Sequence, residues 1–207
     1  MNNQSTIKHI IFDLGGVLIE ISGISEIIEW SGNIHSEKQL WQRWTNSPAI
    51  RSFESGQTEV NDFVKDICQE FEISIDSEYF LNRFLKWPQG PYPDVKPFLK
   101  QLKQHISFSC LSNTNFLHWE KMRDEMKLAT FFSHTFLSFE IGMFKPDNEI
   151  YEFVASQLPF LPEEILFFDD NQINVDSARS FGFKSEKVVG VKEIKHQLDL
   201  YQIPYYQ

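Results

Sequence analysis

The stretch Ile10-Ile11-Phe12 constrains this chain more than any other. It is a continuous apolar run of β-branched and aromatic residues that ends abruptly in Asp13 and then, one residue later, in Gly15 and Gly16. Such a run predicts a strand buried on both faces, as in a parallel sheet. A charge at that point stands at the carboxyl end of a buried strand, where open α/β sheets hold their ligands. The two glycines allow a sharp turn and leave main-chain N–H groups open to a close approach. Asp13 read alone is equally an ordinary turn residue.

From Asp94 onward, helix-length and strand-length segments alternate. Helices are expected at Val95 to Leu102, Leu117 to Leu128, Ile150 to Leu158, Val175 to Phe181 and Ile194 to Tyr201. Strands are expected at Ile106 to Leu111, His134 to Phe139, Ile165 to Phe168 and Lys187 to Val189. This alternation implies an α/β fold: a Rossmann-like parallel sheet with right-handed crossovers and helices on both faces.

The segment from Ser22 to about Pro91 differs in character. It holds four of the chain's five tryptophans (Trp30, Trp41, Trp44, Trp87) and no convincing buried strand. One helix is expected to begin at Thr58 as N-cap, with Val60, Phe63, Val64, Ile67, Cys68 and Phe71 on its apolar face. A second follows Asp76. Pro88, Gly90, Pro91 and Pro93 are expected to interrupt regular structure as a boundary would. The expected organisation is an α/β core of residues 1–21 and 92–207, with a small all-helical cap of residues 22–91 inserted after the first strand.

Composition narrows the function classes. A formal net charge of −10 argues against a protein that binds nucleic-acid backbone, because such affinity rests on Lys and Arg. No apolar run approaches the roughly 20 residues that span a bilayer. The N-terminus lacks the basic start of a signal peptide. Cys68 and Cys110 lack metal-ligand spacing, and Cys110 sits in an apolar run, which reads as a buried free thiol in a reducing compartment. A cytoplasmic protein is expected, with no membrane contact and no obligate protein partner indicated.

Chemistry-bearing residues follow each core strand. Asp13 follows the first, Ser112-Asn113-Thr114 the second, Lys145-Pro146 the third and Asp169-Asp170-Asn171 the fourth. Singly, each has a structural reading: Ser112, Asp169 and Asp170 as helix caps, Lys145 as a solvated cation beside a helix-starting proline. Together they converge on one sheet edge. Three carboxylates there repel unless a cation offsets them, and hard oxygen ligands with room for water suit Mg²⁺. Lys145, Ser112 and the Asn113 N–H add positive charge and donors, which completes an inventory for phosphoryl transfer.

These four ordered motifs resemble those of the haloacid dehalogenase superfamily, and Asn174, Ala178 and Gly182 fit the helix after the fourth. Asp13-Leu14-Gly15 with Leu111-Ser112-Asn113-Thr114-Asn115 is most similar to the branch containing bacterial α-D-glucose-1-phosphate phosphatases. The resemblance implies a Mg²⁺-dependent phosphomonoester hydrolase acting on a small phosphorylated metabolite, such as the sugar phosphate glucose 1-phosphate. It implies that Asp13 attacks phosphorus and becomes an aspartyl phosphate. Asp13, the Gly15 carbonyl and Asp170 would ligate the metal, with Asp169 acting directly or through water. Ser112, Asn113, Lys145, Gly15 and Gly16 would hold the phosphoryl group, and Asn174 would orient the metal loop.

The chain departs from the pattern at Gly15, where most phosphatases of this superfamily carry a second aspartate as general acid and base. Three explanations stay open: a leaving group that needs little protonation, a substitute such as Glu20 or His118, or a protein that binds a phosphorylated ligand without turning it over. A halide-displacing enzyme of the same fold is a further alternative, since it also needs a carboxylate nucleophile. In the cap, Trp44, Arg51, Glu54 and Gln57 are the polar or aromatic candidates for substrate contact, although residues of these kinds are more often packing or helix-surface residues.

Overall fold

The computed structural model describes residues 7–32 and 36–205; the outer ends of the expected core spans lie outside them. In chain order the elements are β1 (His9–Phe12), β2 (Ile19–Ile21), α1 (Gly23–Trp30), α2 (Glu37–Asn46), α3 (Pro48–Glu54), α4 (Val60–Glu70), α5 (Ser77–Phe84) and β3 (Pro88–Pro91). There follow α6 (Val95–Leu102), β4 (Ser107–Ser112), α7 (Phe116–Asp124), β5 (Thr135–Leu137), α8 (Ser138–Ile141) and α9 (Asn148–Ser156). The chain then runs through β6 (Ile165–Asp169), α10 (Gln172–Phe181), β7 (Lys184–Lys187) and α11 (Gly190–Leu200).

Five strands form one parallel sheet in the order β5-β4-β1-β6-β7. β1 is central, so both its faces are covered. Ile10 and Phe12 pack into one apolar layer with Phe108 and Phe168, while Ile11 points into the opposite layer with Leu111 and Phe167. Helices close both faces, as the alternation of segments predicts. The strand ends bearing Asp13, Ser112 and Asp169 therefore lie side by side on one edge of the sheet.

The five helices α1 to α5 build an apolar cluster of their own around Phe53, Phe63, Phe80 and Phe84. Phe53 stacks on Phe63 with ring centroids 4.1 Å apart. Asp76 caps α5 as expected, accepting from the Tyr79 N–H at 3.0 Å. Thr58 does not cap α4. Its hydroxyl is taken by Ser52, and the N-cap is Glu59 without a side-chain bond.

Three sequence expectations need correction. Pro88 to Pro91 is not an interruption: it pairs antiparallel with β2, through Ile19–Pro91 and Glu20–Gly90, as a two-stranded ribbon. Proline is tolerated there because an edge strand leaves one row of N–H positions unpaired. Residues 22–91 thus end in a strand rather than in helix or loop. The last core strand is Lys184–Lys187, not Lys187 to Val189. As a sheet edge it is polar, so no apolar alternation marks it. The strand expected through Phe139 stops at Leu137, where Ser138 opens a helical turn and hydrogen-bonds the Thr114 backbone.

Candidate active site

Asp13 ends β1, with its N–H held by the Phe168 carbonyl at 2.8 Å. Lys145 is buried, 2% exposed, and its ammonium sits among three oxygens. Nζ lies 2.6 Å from Asp169 Oδ2, 3.0 Å from Asp13 Oδ1 and 3.0 Å from the Leu111 carbonyl. Asn113 fixes that lysine's backbone from both sides: its amide donates to the Lys145 carbonyl and accepts from the Lys145 N–H, each at 2.9 Å. The Asn113 side chain is thereby spent on positioning. Ser112 sits buried at the end of β4 beside them.

The two acidic residues after β6 differ in kind. Asp169 has no exposure and is fully partnered. Besides Lys145 it accepts from the Asn171 N–H at 2.8 Å and from Asn174 Nδ2 at 3.0 and 3.1 Å. Asp170 stands partly exposed at the cleft wall. Neither caps α10, since Asn171 does so by accepting from the Ile173 N–H at 3.1 Å. Likewise Asn115, not Ser112, caps α7. Gly16 has φ +74°, and a Cβ there would collide with the Asp170 carboxylate. Glycine at 16 is what lets the β1 turn and the acidic loop touch.

The electrostatics follow from burial. Asp13, Asp169 and Asp170 each offer a carboxylate oxygen within 4.8 Å of the others. Desolvation, reinforced by Asp169 and Asp170 and opposed by Lys145, pushes the Asp13 carboxyl up to about 7. Burial and Asp169 push Asp170 up to about 6. Burial alone would lower the Lys145 ammonium, but Asp13 and Asp169 outweigh it and hold it above the ordinary lysine range. Three carboxylates face one ammonium, so negative charge is left over. The donor set is all oxygen and carboxylate-rich, which fits a hard divalent cation such as Mg²⁺.

A cleft of about 320 Å³ opens over this group, between the sheet edge and the α1–α5 helices. Its floor is Asp13, Gly15, Gly16, Ser112, Asn113, Lys145, Asp170 and Asn174. Its walls include Trp41, Trp44, Trp87, Ile50, Tyr92 and Phe144. Trp87 lies flat against Gly23, at a spacing that a Cβ would not allow. Of the four cap residues singled out in the sequence, Trp44 and Glu54 line the cleft and Arg51 and Gln57 do not. Arg51 instead pairs with Asp147 and lies over the Phe144 ring, 5.2 Å from its centroid. Trp41, Trp87 and Tyr92 were not anticipated as wall residues. Clustering of tryptophans in one segment was the available signal, and it could not separate wall from core.

The two candidates for a substitute acid fall away. Glu20 is exposed on β2 and does not line the cleft. His118 does line it, but both ring nitrogens are occupied. Nε2 donates to the Phe84 carbonyl at 2.8 Å, which leaves Nδ1 to accept from Asn115 at 3.2 Å. Burial lowers its pKa to about 4, so the ring is neutral and its one proton is committed.

The haloacid dehalogenase-like hydrolase family model matches residues 7–182, a span that carries every one of these site residues. The chain belongs to that family. Among curated relatives it is 24% identical over 192 residues to an (S)-2-haloacid dehalogenase of Pseudomonas fluorescens, covering 87% of this chain and 83% of that one. It is 25% identical over 194 residues to a D-ribitol-5-phosphate phosphatase of Bacteroides thetaiotaomicron, covering 86% and 90%. A solved structure of a Bacteroides thetaiotaomicron enzyme of the family, in complex with magnesium and inorganic phosphate, superposes with a TM-score of 0.70. It is 24% identical and covers 87% of this chain and 93% of that one. This haloacid dehalogenase-like hydrolase therefore has both phosphatases and dehalogenases among its relatives, and the parallel sheet is shared with the solved structure. Among the described residues no helix is long and apolar enough to cross a membrane.

Proposed function

We propose that this hydrolase is a Mg²⁺-dependent phosphomonoesterase acting on a small phosphorylated metabolite through a covalent aspartyl phosphate. The observation that carries the reading is the Asp13, Asp169 and Asp170 group, within 4.8 Å, beside the buried Lys145 ammonium. A halide-displacing enzyme needs one carboxylate and a positive neighbour. It has no use for Asp170, a further negative charge beside the nucleophile.

In this reading Asp13 is the nucleophile, and Lys145 orients it and favours its ionised form against a burial that favours the neutral one. Asp13, Asp170 and the Gly15 carbonyl would hold the magnesium ion, which would supply charge neutralisation to the transferring phosphoryl group. Ser112 and the Asn113 N–H donate to that group. Lys145 acts on it as a fixed positive charge, held in place by Asp169 and the Leu111 carbonyl beside Asp13. Asp169, saturated by Lys145, Asn171 and Asn174, orients the loop rather than binding metal directly.

For the substrate, the cleft volume of about 320 Å³ suits a small molecule and sits at the low end of the usual range. Indole faces at Trp41 and Trp44 are suited to stacking on a sugar ring, which keeps a sugar phosphate such as glucose 1-phosphate in the proposal. The test is phosphate release from a panel of sugar phosphates with Mg²⁺ present and then chelated, using the wild type and Asp13→Asn. Metal-dependent release that the variant lacks is the expected result. Halide release from a 2-haloacid in excess chelator, with no phosphatase activity, would overturn the proposal in favour of the dehalogenase reading.

A further inference from the structure

Phosphate-ester hydrolysis breaks a P–O bond and leaves an electron pair on the departing oxygen, which for an ordinary alcohol needs a proton in the transition state. Gly15 has no side chain to give one, Glu20 lies outside the cleft, and the one ring proton of His118 is held by the Phe84 carbonyl. Among the described residues the carboxyls lining the cleft are Asp13, Asp170 and Glu54. The first two belong to the nucleophile and metal positions. Tyr92 also lines the cleft, but its hydroxyl donates to the Gly16 carbonyl at 3.5 Å, and a phenol raised by burial stays protonated near neutrality and cannot be the base of the second step. Glu54 is the group left.

Its placement is built by backbone contacts from both sides. Glu54 is the last residue of α3, and its carbonyl accepts from the Ser138 hydroxyl of α8. That hydroxyl in turn accepts from the Thr114 N–H at 2.9 Å, in the loop that carries Ser112 and Asn113. Two residues on, Gly56 has φ +73° and lies so close to the Phe139 carbonyl that a Cβ would collide with it. The Arg51–Asp147 ion pair ties the same last turn of the helix to the core. The helix end is thus fastened to the core beside the phosphoryl-binding loop, with Glu54 lining the same cleft as Asp13.

We infer that Glu54 is the general acid and base of this hydrolase, supplied by the cap in place of the aspartate absent at position 15. The inference rests on the phosphatase reading. In the first half, Asp13 Oδ bonds to phosphorus and the P–O bond to the alcohol breaks. The Glu54 carboxyl then gives its proton to the departing oxygen, releasing the alcohol and leaving a carboxylate. In the second half, that carboxylate takes a proton from water as the water oxygen bonds to phosphorus. The bond to Asp13 breaks, its electron pair returning to the Asp13 carboxylate, and hydrogen phosphate leaves with Glu54 protonated again.

The charge environment agrees with this cycle. Burial first, and the Asp13 charge second, push the Glu54 carboxyl up to about 8, against an opposing effect of Lys145. The other charged or titratable neighbours named above are otherwise committed: Asp170 at the metal position, His118 neutral, Arg51 paired with Asp147. A carboxyl protonated near neutrality is matched to proton donation.

The test is kcat/KM for p-nitrophenyl, phenyl and benzyl phosphate, three aromatic esters of similar size whose leaving oxygens rise in basicity. With Mg²⁺ present, Glu54→Gln is expected to lose roughly 100-fold or more on benzyl phosphate, the scale of general acid catalysis, and only a few-fold on p-nitrophenyl phosphate. Glu54→Asp should recover part of the benzyl phosphate rate, and the wild type alone should show a basic limb in its pH profile that is steeper for benzyl than for p-nitrophenyl phosphate. An equal loss on all three esters, or wild-type profiles that coincide, would overturn the role of Glu54 while leaving the phosphatase reading intact. A wild type inactive on every phosphate ester would overturn both.

Discussion

The Lys145 ammonium lies 3.0 Å from Asp13 Oδ1, with the lysine side chain 1% exposed and the aspartate 11%. Neither charge has much water to fall back on, so each favours the ionised form of the other against its own burial. Asp169 on the far side of Lys145 makes the lysine a bridge between two carboxylates. The arrangement couples folding to chemistry, because the residues that stabilise the site are the residues that react.

Lys145→Met should therefore lower unfolding stability by about 3–5 kcal/mol at neutral pH, since it leaves buried carboxylates without their partner. Urea unfolding of the wild type and variant measures this. Adding Asp13→Asn to the variant should restore part of the loss, because one of the orphaned charges is then gone. Strict additivity of the two changes would contradict the coupling.

His9 gives a pH dependence with a defined sign. Its ring lies between the Ser107 and Ser109 hydroxyls at 2.8 and 2.9 Å, and burial, with a smaller effect of His134, lowers its pKa to about 4. Between the ordinary histidine value of 6.5 and about 4 the unfolded chain binds more protons than the folded one at this position. The stability it contributes is present above pH 6.5 and is lost as pH falls through that window. Asp13, Asp170 and Glu54, whose pKa values are raised, act in the opposite sense and mask the effect in the wild type alone. Comparison with His9→Gln isolates it. The wild type's advantage over the variant should shrink by about 3 kcal/mol between pH 7 and pH 4 in urea unfolding.

Legibility of the sequence divides along burial. Central strands announce themselves, because Ile10 to Phe12 and Ile165 to Phe168 are buried on both faces and must be apolar throughout. The charge that follows each is then conspicuous, so Asp13, Ser112, Lys145 and Asp169 could be grouped before any coordinates. Helix α6 and the Asp76 cap were legible for a similar reason, being local rules that tertiary contacts leave alone. Edges were not. β7 is Lys-Ser-Glu-Lys, and β2 with β3 is a three- to four-residue ribbon containing prolines, so neither has a periodicity to read.

The cleft walls were hidden for a different reason. Trp44 lines the cleft and also packs on Trp87 and Phe71, at 5.0 and 6.0 Å between ring centroids. A residue that is half core and half wall carries the same sequence signature as one that is wholly core. Glu54 and Gln57 looked alike in the sequence, three residues apart in one polar stretch. What separates them is the turn at Gly56, which brings the end of α3 against Phe139 and turns Glu54 inward while Gln57 stays exposed.

The two glycines after the nucleophile should tolerate substitution very differently. Gly15 has ordinary backbone geometry, and a Cβ there would meet only the flexible Ile21 side chain, at 3.2 Å. Gly15→Ala should stay within about 1 kcal/mol of the wild type in stability, which also makes Gly15→Asp a workable way to install an acid. Gly16→Ala faces both a positive φ of +74° and the Asp170 carboxylate. It should lower the melting temperature and weaken metal binding together. Thermal unfolding and calorimetric titration with Mg²⁺ check both, and equal tolerance at the two positions would contradict the geometry.

The neighbouring aspartates after β6 should separate metal binding from stability. Asp170 is partly exposed at the cleft wall, raised to about 6 mainly by burial and by Asp169, and its carboxylate is placed to face a cation. Asp170→Asn removes a negative charge from a site with too many. Its metal-free form should be as stable as the wild type or slightly more so, while Mg²⁺ binding by calorimetry falls by at least tenfold. Asp169→Asn acts the other way. It takes a charge from Lys145, replaces an acceptor with an NH₂ group facing donors from Lys145, Asn171 or Asn174, and does so at a fully buried position. A buried donor left without an acceptor costs about 1–3 kcal/mol, and loss of the ion pair adds to it. The expected pattern is a destabilised Asp169→Asn, with Mg²⁺ affinity reduced only in proportion to the loosened loop, against a stable Asp170→Asn that no longer binds the ion. Mg²⁺ should raise the melting temperature of the wild type and leave that of Asp170→Asn unmoved. An Asp170→Asn protein that still gains stability from Mg²⁺ would remove Asp170 from the metal site and, with it, the feature that separates the phosphatase reading from the dehalogenase one.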